Sequence, residues 1–219
     1  DMVCKQRAAE GGAQPRRLLE VLDADWQAVQ RAELRPLHHR AFRGLRGLPR
    51  AVAQELKNSG STKPVSYEGV SVLFADFVAF NQRTTGIGAE PIISTLDRYF
   101  SYFDFITKKY RLEKIKTIGD AYMLAGGLDA TIPTHAVDCV LAAFDFLDFV
   151  RRDSGDGKNT LSFELRVGIH TGPVIAGVLG SLKFSYDIFG STVNTASRME
   201  KYSAANRIKV SRNTYELIK

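Results

Sequence analysis

The sequence predicts an α+β fold, a ferredoxin-like βαββαβ core with additional strands and helices. Three observations predict it. The β-branched and aromatic run Val70-Ser71-Val72-Leu73-Phe74-Ala75 stops abruptly at Asp76, an apolar stripe at helical spacing follows, and a second alternating run turns back on itself through Gly119-Asp120.

Taken in order, the elements begin with a change of composition near residue 60. There an Arg- and Ala-rich segment passes through Asn58-Ser59-Gly60-Ser61-Thr62-Lys63-Pro64 into aromatic, β-rich sequence. Residues 1–60 are expected to be a helical N-terminal segment or linker and residues 61–219 the main domain. Within the first part, Leu18, Leu22, Trp26 and Val29 recur at helical spacing, and Leu48-Pro49 opens a second short amphipathic piece. The strand Val70 to Ala75 starts the main domain. A helix over about Ala89 to Tyr110 follows, its stripe drawn by Ile92, Leu96, Tyr99, Phe103 and Ile106, which read as core. Next come a hairpin over about Leu112 to Ala125, a helix over about Pro133 to Arg152 and a second hairpin over about Leu161 to Leu179. A strand, Arg207 to Val210, and the helical Arg212 to Ile218 close the chain.

This order has a consequence for the two acids. In a split βαβ unit the first and third strands are antiparallel neighbours, so the end of the first lies beside the turn that leads into the third. Asp76 and Asp120 are thereby placed side by side although 44 residues separate them. Adjacent carboxylates repel unless a cation sits between them, so the pair points to a magnesium or manganese site.

Composition narrows the partners. With 44% hydrophobic residues the chain has enough for a real core, and a net charge of +6 favours anionic ligands. The basic residues before residue 50 are spread out without interleaved aromatics, which reads as a solvated face and argues against a nucleic-acid partner. Two cysteines, Cys4 and Cys139, give no disulfide framework and fit a reducing, cytoplasmic setting. The apolar stretch Val137 to Val150 is broken by Asp138, Asp145 and Asp148, so no membrane span is expected in this chain. The chain begins at Asp1 and reads as a piece excised from a larger protein that could carry a sensor or membrane anchor.

Four further segments carry a family resemblance. They are Phe74-Ala75-Asp76-Phe77-Val78-Ala79-Phe80, Lys116-Thr117-Ile118-Gly119-Asp120-Ala121-Tyr122-Met123, the glycine-bearing Arg166-Val167-Gly168-Ile169-His170-Thr171-Gly172 with Gly177 to Gly180, and Tyr186-Asp187 through Asn194 to Arg198-Met199. In this order they resemble the catalytic domain of the class III nucleotidyl cyclases, of the adenylate cyclase type, from about residue 45 to the C-terminus.

The resemblance implies a lyase of signal transduction that makes 3′,5′-cyclic AMP and pyrophosphate from ATP by attack of the ribose 3′-oxygen on the α-phosphorus. Two ions, Mg²⁺ or Mn²⁺, would be held by Asp76 and Asp120, with the carbonyl of Phe77 a further ligand and substrate contact. Asn194 and Arg198 stand four apart on one helix face and by resemblance steady the transition state. Lys116 and Asp187 would read the adenine edge, the first donating to N1 and the second accepting from N6; guanine-using members carry Glu and Cys there. Arg166 falls where the family binds the triphosphate. His170 reads as a packed or turn-facing histidine. A head-to-tail homodimer is implied, one protomer holding the metals and the other supplying Asn194 and Arg198.

The family's last hairpin carries a phosphate-binding lysine that these 219 residues do not include. This keeps a second reading in play, a weak or inactive nucleotide-binding regulatory module of the same fold. A cyclic-dinucleotide-forming palm domain shares the strand order and paired acids, but would not explain the segment from Asp187 to Arg198.

Overall fold

The structure is a computed structural model that describes residues 62–155, 161–180 and 185–219, together with Val52 and Glu55. These all belong to one compact unit, Phe42–Lys219. Apart from those two residues, the expectations for the segment 1–60 lie outside the described residues.

The elements run β1 (Val65–Phe77), α1 (Phe80–Thr84), α2 (Ala89–Lys109), β2 (Glu113–Ile118), β3 (Ala121–Gly126), α3 (His135–Gly155), β4 (Leu165–Leu179), β5 (Ser185–Phe189), α4 (Ser191–Lys201), β6 (Arg207–Val210) and α5 (Arg212–Ile218). The strand order β2-β3-β1-β4-β5, with β6 parallel to β4, contains the ferredoxin-like core β2-β3-β1-β4. The predicted neighbours β1 and β3 are antiparallel, in a register that sets Asp76 opposite Ala121.

Side chains of β1 alternate between two cores, as the period of two requires. Leu73 and Phe77 face α2 and α3, where Phe77 packs against Tyr99, Phe103 and Phe163, and Phe103 stacks on Phe146 with centroids 4.0 Å apart. Each such ring contributes about 2 kcal/mol by burial and somewhat more by its ring contacts. Val70, Val72 and Phe74 face the other way, into a core with Met123, Ala125, Val174, Ala176, Tyr186, Ile188 and Ala196. That core lies under α4, so helices cover both faces of the sheet.

One expected element differs. The second hairpin over about Leu161 to Leu179 is instead a single 15-residue strand, β4, and the hairpin partner lies beyond it in β5. The Gly172-Pro173 step does not break β4. On one side β6 pairs only as far as Ile169 and β5 begins only at Ile175, while on the other the β1 register shifts between Tyr67 and Val70. Pro173 therefore sits where neither neighbour requires its missing N–H.

Two glycines of β4 set how close α4 comes. A Cβ on Gly168 would stand 1.9 Å from the backbone nitrogen of Glu200, and one on Gly172 would stand 2.7 Å from the hydroxyl of Thr192. Thr192 donates that hydroxyl to the Pro173 carbonyl at 2.7 Å, which fixes the other end of the helix. The bare strand is thus the seat of α4.

Candidate active site

Asp76 is the penultimate residue of β1 and Asp120 occupies the two-residue turn between β2 and β3. Gly119 takes φ 63° in that turn, a left-handed value that suits glycine at the first position of a tight hairpin turn. The two acids meet as the topology predicts. Burial, then the charge of Asp76, push the Asp120 carboxyl above its ordinary range.

Arg166 lies directly opposite Asp76 on β4. Its Nη2 donates to Asp76 Oδ2 at 2.6 Å, and its Nε pairs with Glu200 Oε1. Burial opposes the guanidinium charge, yet the hydrogen bond to Asp76 and the charges of Asp76 and Glu200 raise its pKa. Expected at the triphosphate, Arg166 here spends two of its nitrogens on protein carboxylates. Glu200 was not singled out by sequence. Its side chain is 6% exposed, and burial together with the charge of Asp76 push its carboxyl up to about 7. A readable signal existed: Thr192, Ala196 and Glu200 recur every four residues along the buried face of α4.

Three carboxyl groups therefore share one guanidinium, an excess of negative charge that a divalent cation would relieve. Among the described residues no group of three or more His, Cys, Asp or Glu is arranged to hold a metal. The carboxylates of Asp76 and Asp120 are the donors that meet here, and the Phe77 carbonyl is the third expected from sequence, the ring of Phe77 being committed to the aromatic core. That all-oxygen set fits Mg²⁺ or Mn²⁺, ions held by one or two carboxylates with the remaining positions left to water and substrate phosphate.

Lys116 and Asp187 meet although 71 residues apart, Nζ to Oδ2 at 2.5 Å. Asp187 is held by a second bond, its Oδ1 accepting from the Ile188 N–H at 2.9 Å. They stand on β2 and β5, opposite ends of the strand order, so the sheet curls until its edges approach around the α4-facing core. Both side chains keep contact with solvent, Lys116 at 39% and Asp187 at 13% exposure, so the pair is accessible to a ligand.

Asn194 and Arg198 are exposed, on the side of α4 opposite its buried stripe. The same helix thus turns Glu200 inward to Asp76 and these two residues outward. His170 lies in mid-strand, not at a turn, with Nδ1 2.7 Å from the Ser211 hydroxyl, and burial lowers its pKa.

Comparison with known proteins identifies the family. The family "Adenylate and Guanylate cyclase catalytic domain" matches residues 62–219. An adenylate cyclase of Mycobacterium tuberculosis is 38% identical over 173 residues, 78% of this chain and 39% of that protein. Guanylyl cyclase C of Sus scrofa is equally similar, 38% over 173 residues, 78% of this chain and 16% of that protein. This chain thus spans well under half the length of either. Among solved structures, the catalytic core of a rhodopsin-guanylyl cyclase with converted specificity, in complex with ATPαS, superposes with a TM-score of 0.67 at 38% identity, over 72% of this chain and 85% of that one. The adenylyl cyclase CyaB from P. aeruginosa gives 0.66 at 28% identity, over 72% and 83%. With an ordered match over most of its length and the strand topology to go with it, the chain belongs to the class III adenylate and guanylate cyclase catalytic domain family.

Proposed function

We propose that this chain is the catalytic domain of an adenylate cyclase, converting ATP to 3′,5′-cyclic AMP and pyrophosphate. The observation that carries the choice of ATP over GTP is the Lys116–Asp187 pair. Its ammonium donates to the N1 acceptor of adenine and its carboxylate accepts from the N6 amino group, whereas guanine presents the opposite pattern. A site of this kind leaves buried groups unpaired against the wrong base, a strong basis for discrimination.

Asp76, Asp120 and the Phe77 carbonyl would hold two divalent ions. Bound there, Mg²⁺ or Mn²⁺ supplies acidity to the ribose 3′-hydroxyl and offsets phosphate charge. The 3′-oxygen forms its bond to the α-phosphorus as the bond to the bridging oxygen breaks and pyrophosphate leaves; the hydroxyl proton passes to water or substrate phosphate. Among the described residues no carboxylate pairs with Arg166 Nη1, unlike Nε and Nη2, and it can meet the triphosphate. Arg198 places positive charge at the reacting phosphorus and Asn194 orients the ribose, each worth about 3 kcal/mol in the transition state.

Asn194 and Arg198 face outward in one chain, which favours a head-to-tail homodimer in which they serve the partner's metal carboxylates and the partner's serve this chain's. The test supplies ATP and GTP separately with Mg²⁺ or Mn²⁺ and identifies the product, with Asp76→Ala as control. Cyclic AMP from ATP, abolished in the control, is expected. Nucleotide binding without turnover would favour the regulatory-module reading, and a preference for GTP would overturn the base assignment.

A further inference from the structure

Helix α4 has two working faces, and one residue ties them together. Glu200 is its last buried side chain, and it reaches Arg166, which in turn reaches Asp76. Two helical turns of the same element carry Asn194 and Arg198 on the opposite face. Neither end of this linkage is loose. The backbone of Glu200 is so close to β4 that Gly168 has no room for a Cβ, and Thr192 pins the first turn to Pro173.

We propose that Glu200 is a positioning residue for two active sites at once. Through Arg166 it orients the metal carboxylate Asp76 of its own protomer, and as the anchored end of α4 it sets where Asn194 and Arg198 stand in the partner's site. The second half rests on the shared-site reading above.

The chemistry suits this role. Arg166 presents a rigid planar fork: the ion pair of Glu200 with Nε, which lies outside hydrogen-bond geometry, holds one edge of it by charge while Nη2 donates to Asp76. A lysine at this position would hold only a point charge and would not transmit an orientation. Reach is also limited. Because the α4 backbone already touches the strand at Gly168, the helix cannot move inward to compensate for a shorter acid at position 200. Metal occupancy at Asp76 and the pose of Arg198 in the neighbouring site are therefore mechanically linked through three side chains and one helix.

The experiment uses a purified heterodimer of two tagged chains, one carrying Asp76→Ala and the other Arg198→Ala. Such a dimer has one intact site, with carboxylates from the second chain and Asn194 and Arg198 from the first. Glu200→Gln, which keeps size and removes charge, is then placed on either chain. On the carboxylate-bearing chain it is expected to raise the Mn²⁺ concentration for half-maximal activity about tenfold, and on the helix-donating chain to lower kcat about tenfold with the Mn²⁺ requirement unchanged. Mn²⁺ titration of the Glu200→Gln homodimer by electron paramagnetic resonance reads the first effect without turnover.

Unchanged Mn²⁺ binding there would overturn the Asp76 half of the proposal. A kcat within twofold of the parent heterodimer, with Glu200→Gln on the helix-donating chain, would overturn the partner half. If the parent heterodimer is itself inactive with mixed dimers confirmed, the shared-site reading falls and takes the partner half with it, while the Mn²⁺ titration still decides the rest. Should Glu200→Gln fold poorly, Glu200→Asp carries the same test. It keeps the charge but not the reach, and the same two losses are expected.

Discussion

Adding one methyl group at Gly168 should uncouple the active site from the sheet. The new Cβ would lie 1.9 Å from the backbone nitrogen of Glu200 and 2.5 Å from its Cα, and neither atom belongs to a flexible side chain that could swing away. Restoring an ordinary contact of 3.4 Å requires α4 to withdraw by about 1.5 Å, a displacement on the scale that costs on the order of 100-fold in rate when it moves positioning groups. Overpacking of this kind destabilises by about 2 kcal/mol, roughly 6 °C in Tm for a domain of this size. Gly168→Ala should therefore lose far more activity than its stability loss explains, measured as kcat with excess metal at a temperature well below its Tm. Gly69→Ala is the control, because among the described residues nothing lies within 4 Å of its added Cβ. A Gly168→Ala protein with unaltered kcat would refute the reasoning that α4 is held in place by this contact.

Exchanging the proposed base-reading pair, Lys116→Glu with Asp187→Cys, should lower ATP use and raise the GTP-to-ATP ratio of kcat/KM by at least about tenfold; an unchanged ratio would remove these residues from base selection. Relative to Glu200→Gln, the metal-free protein should lose stability as pH rises, a comparison in which His135 and His170, whose burial-lowered pKa values act in the opposite direction, cancel. Burial raises the folded-state pKa of Glu200 from the ordinary 4.5 to about 7, so its contribution is fully present below about 4.5 and is lost as pH passes through about 7, with Asp120 shifted in the same direction. The Tm difference from Glu200→Gln, followed by thermal denaturation from pH 5 to 8, should show this decline, and added Mn²⁺ should raise Tm more at pH 8 than at pH 5; a difference that grows over this range without metal would contradict the charge crowding at the site.

The paired acids were legible because both cues are local. A strand that ends in Asp76 and a turn that contains Gly119-Asp120 need only the strand order to be brought together, and the order follows from alternating periods of two and 3.6. Lys116 and Asp187 were assigned by resemblance, since nothing in local pattern says that the two outer strands of a sheet will curl toward each other. The length of β4 was misread for a definite reason. Gly172 and Pro173 are punctuation in most sequences, and the gap between β6 and β5 on one side with the register shift of β1 on the other lets them lie within a strand. Glu200 stayed hidden because a charged residue on an amphipathic helix is ordinarily solvated, and its partner Arg166 is 34 residues away on a different element. The paired signal was Gly168 with Gly172, two bare positions on one face of a strand, matched to a helix stripe of Thr192, Ala196 and Glu200.

The role proposed for Asp76 and Asp120 is to gather divalent cations beside a purine pocket. It is tested most directly by the anomalous scattering of Mn²⁺ in crystals of the protein grown with a non-reactive ATP analogue. Metal density is expected against both carboxylates and the triphosphate, and is expected to be lost in Asp76→Ala. Metal bound elsewhere, or nucleotide bound with both carboxylates left to Arg166 and solvent, would contradict it.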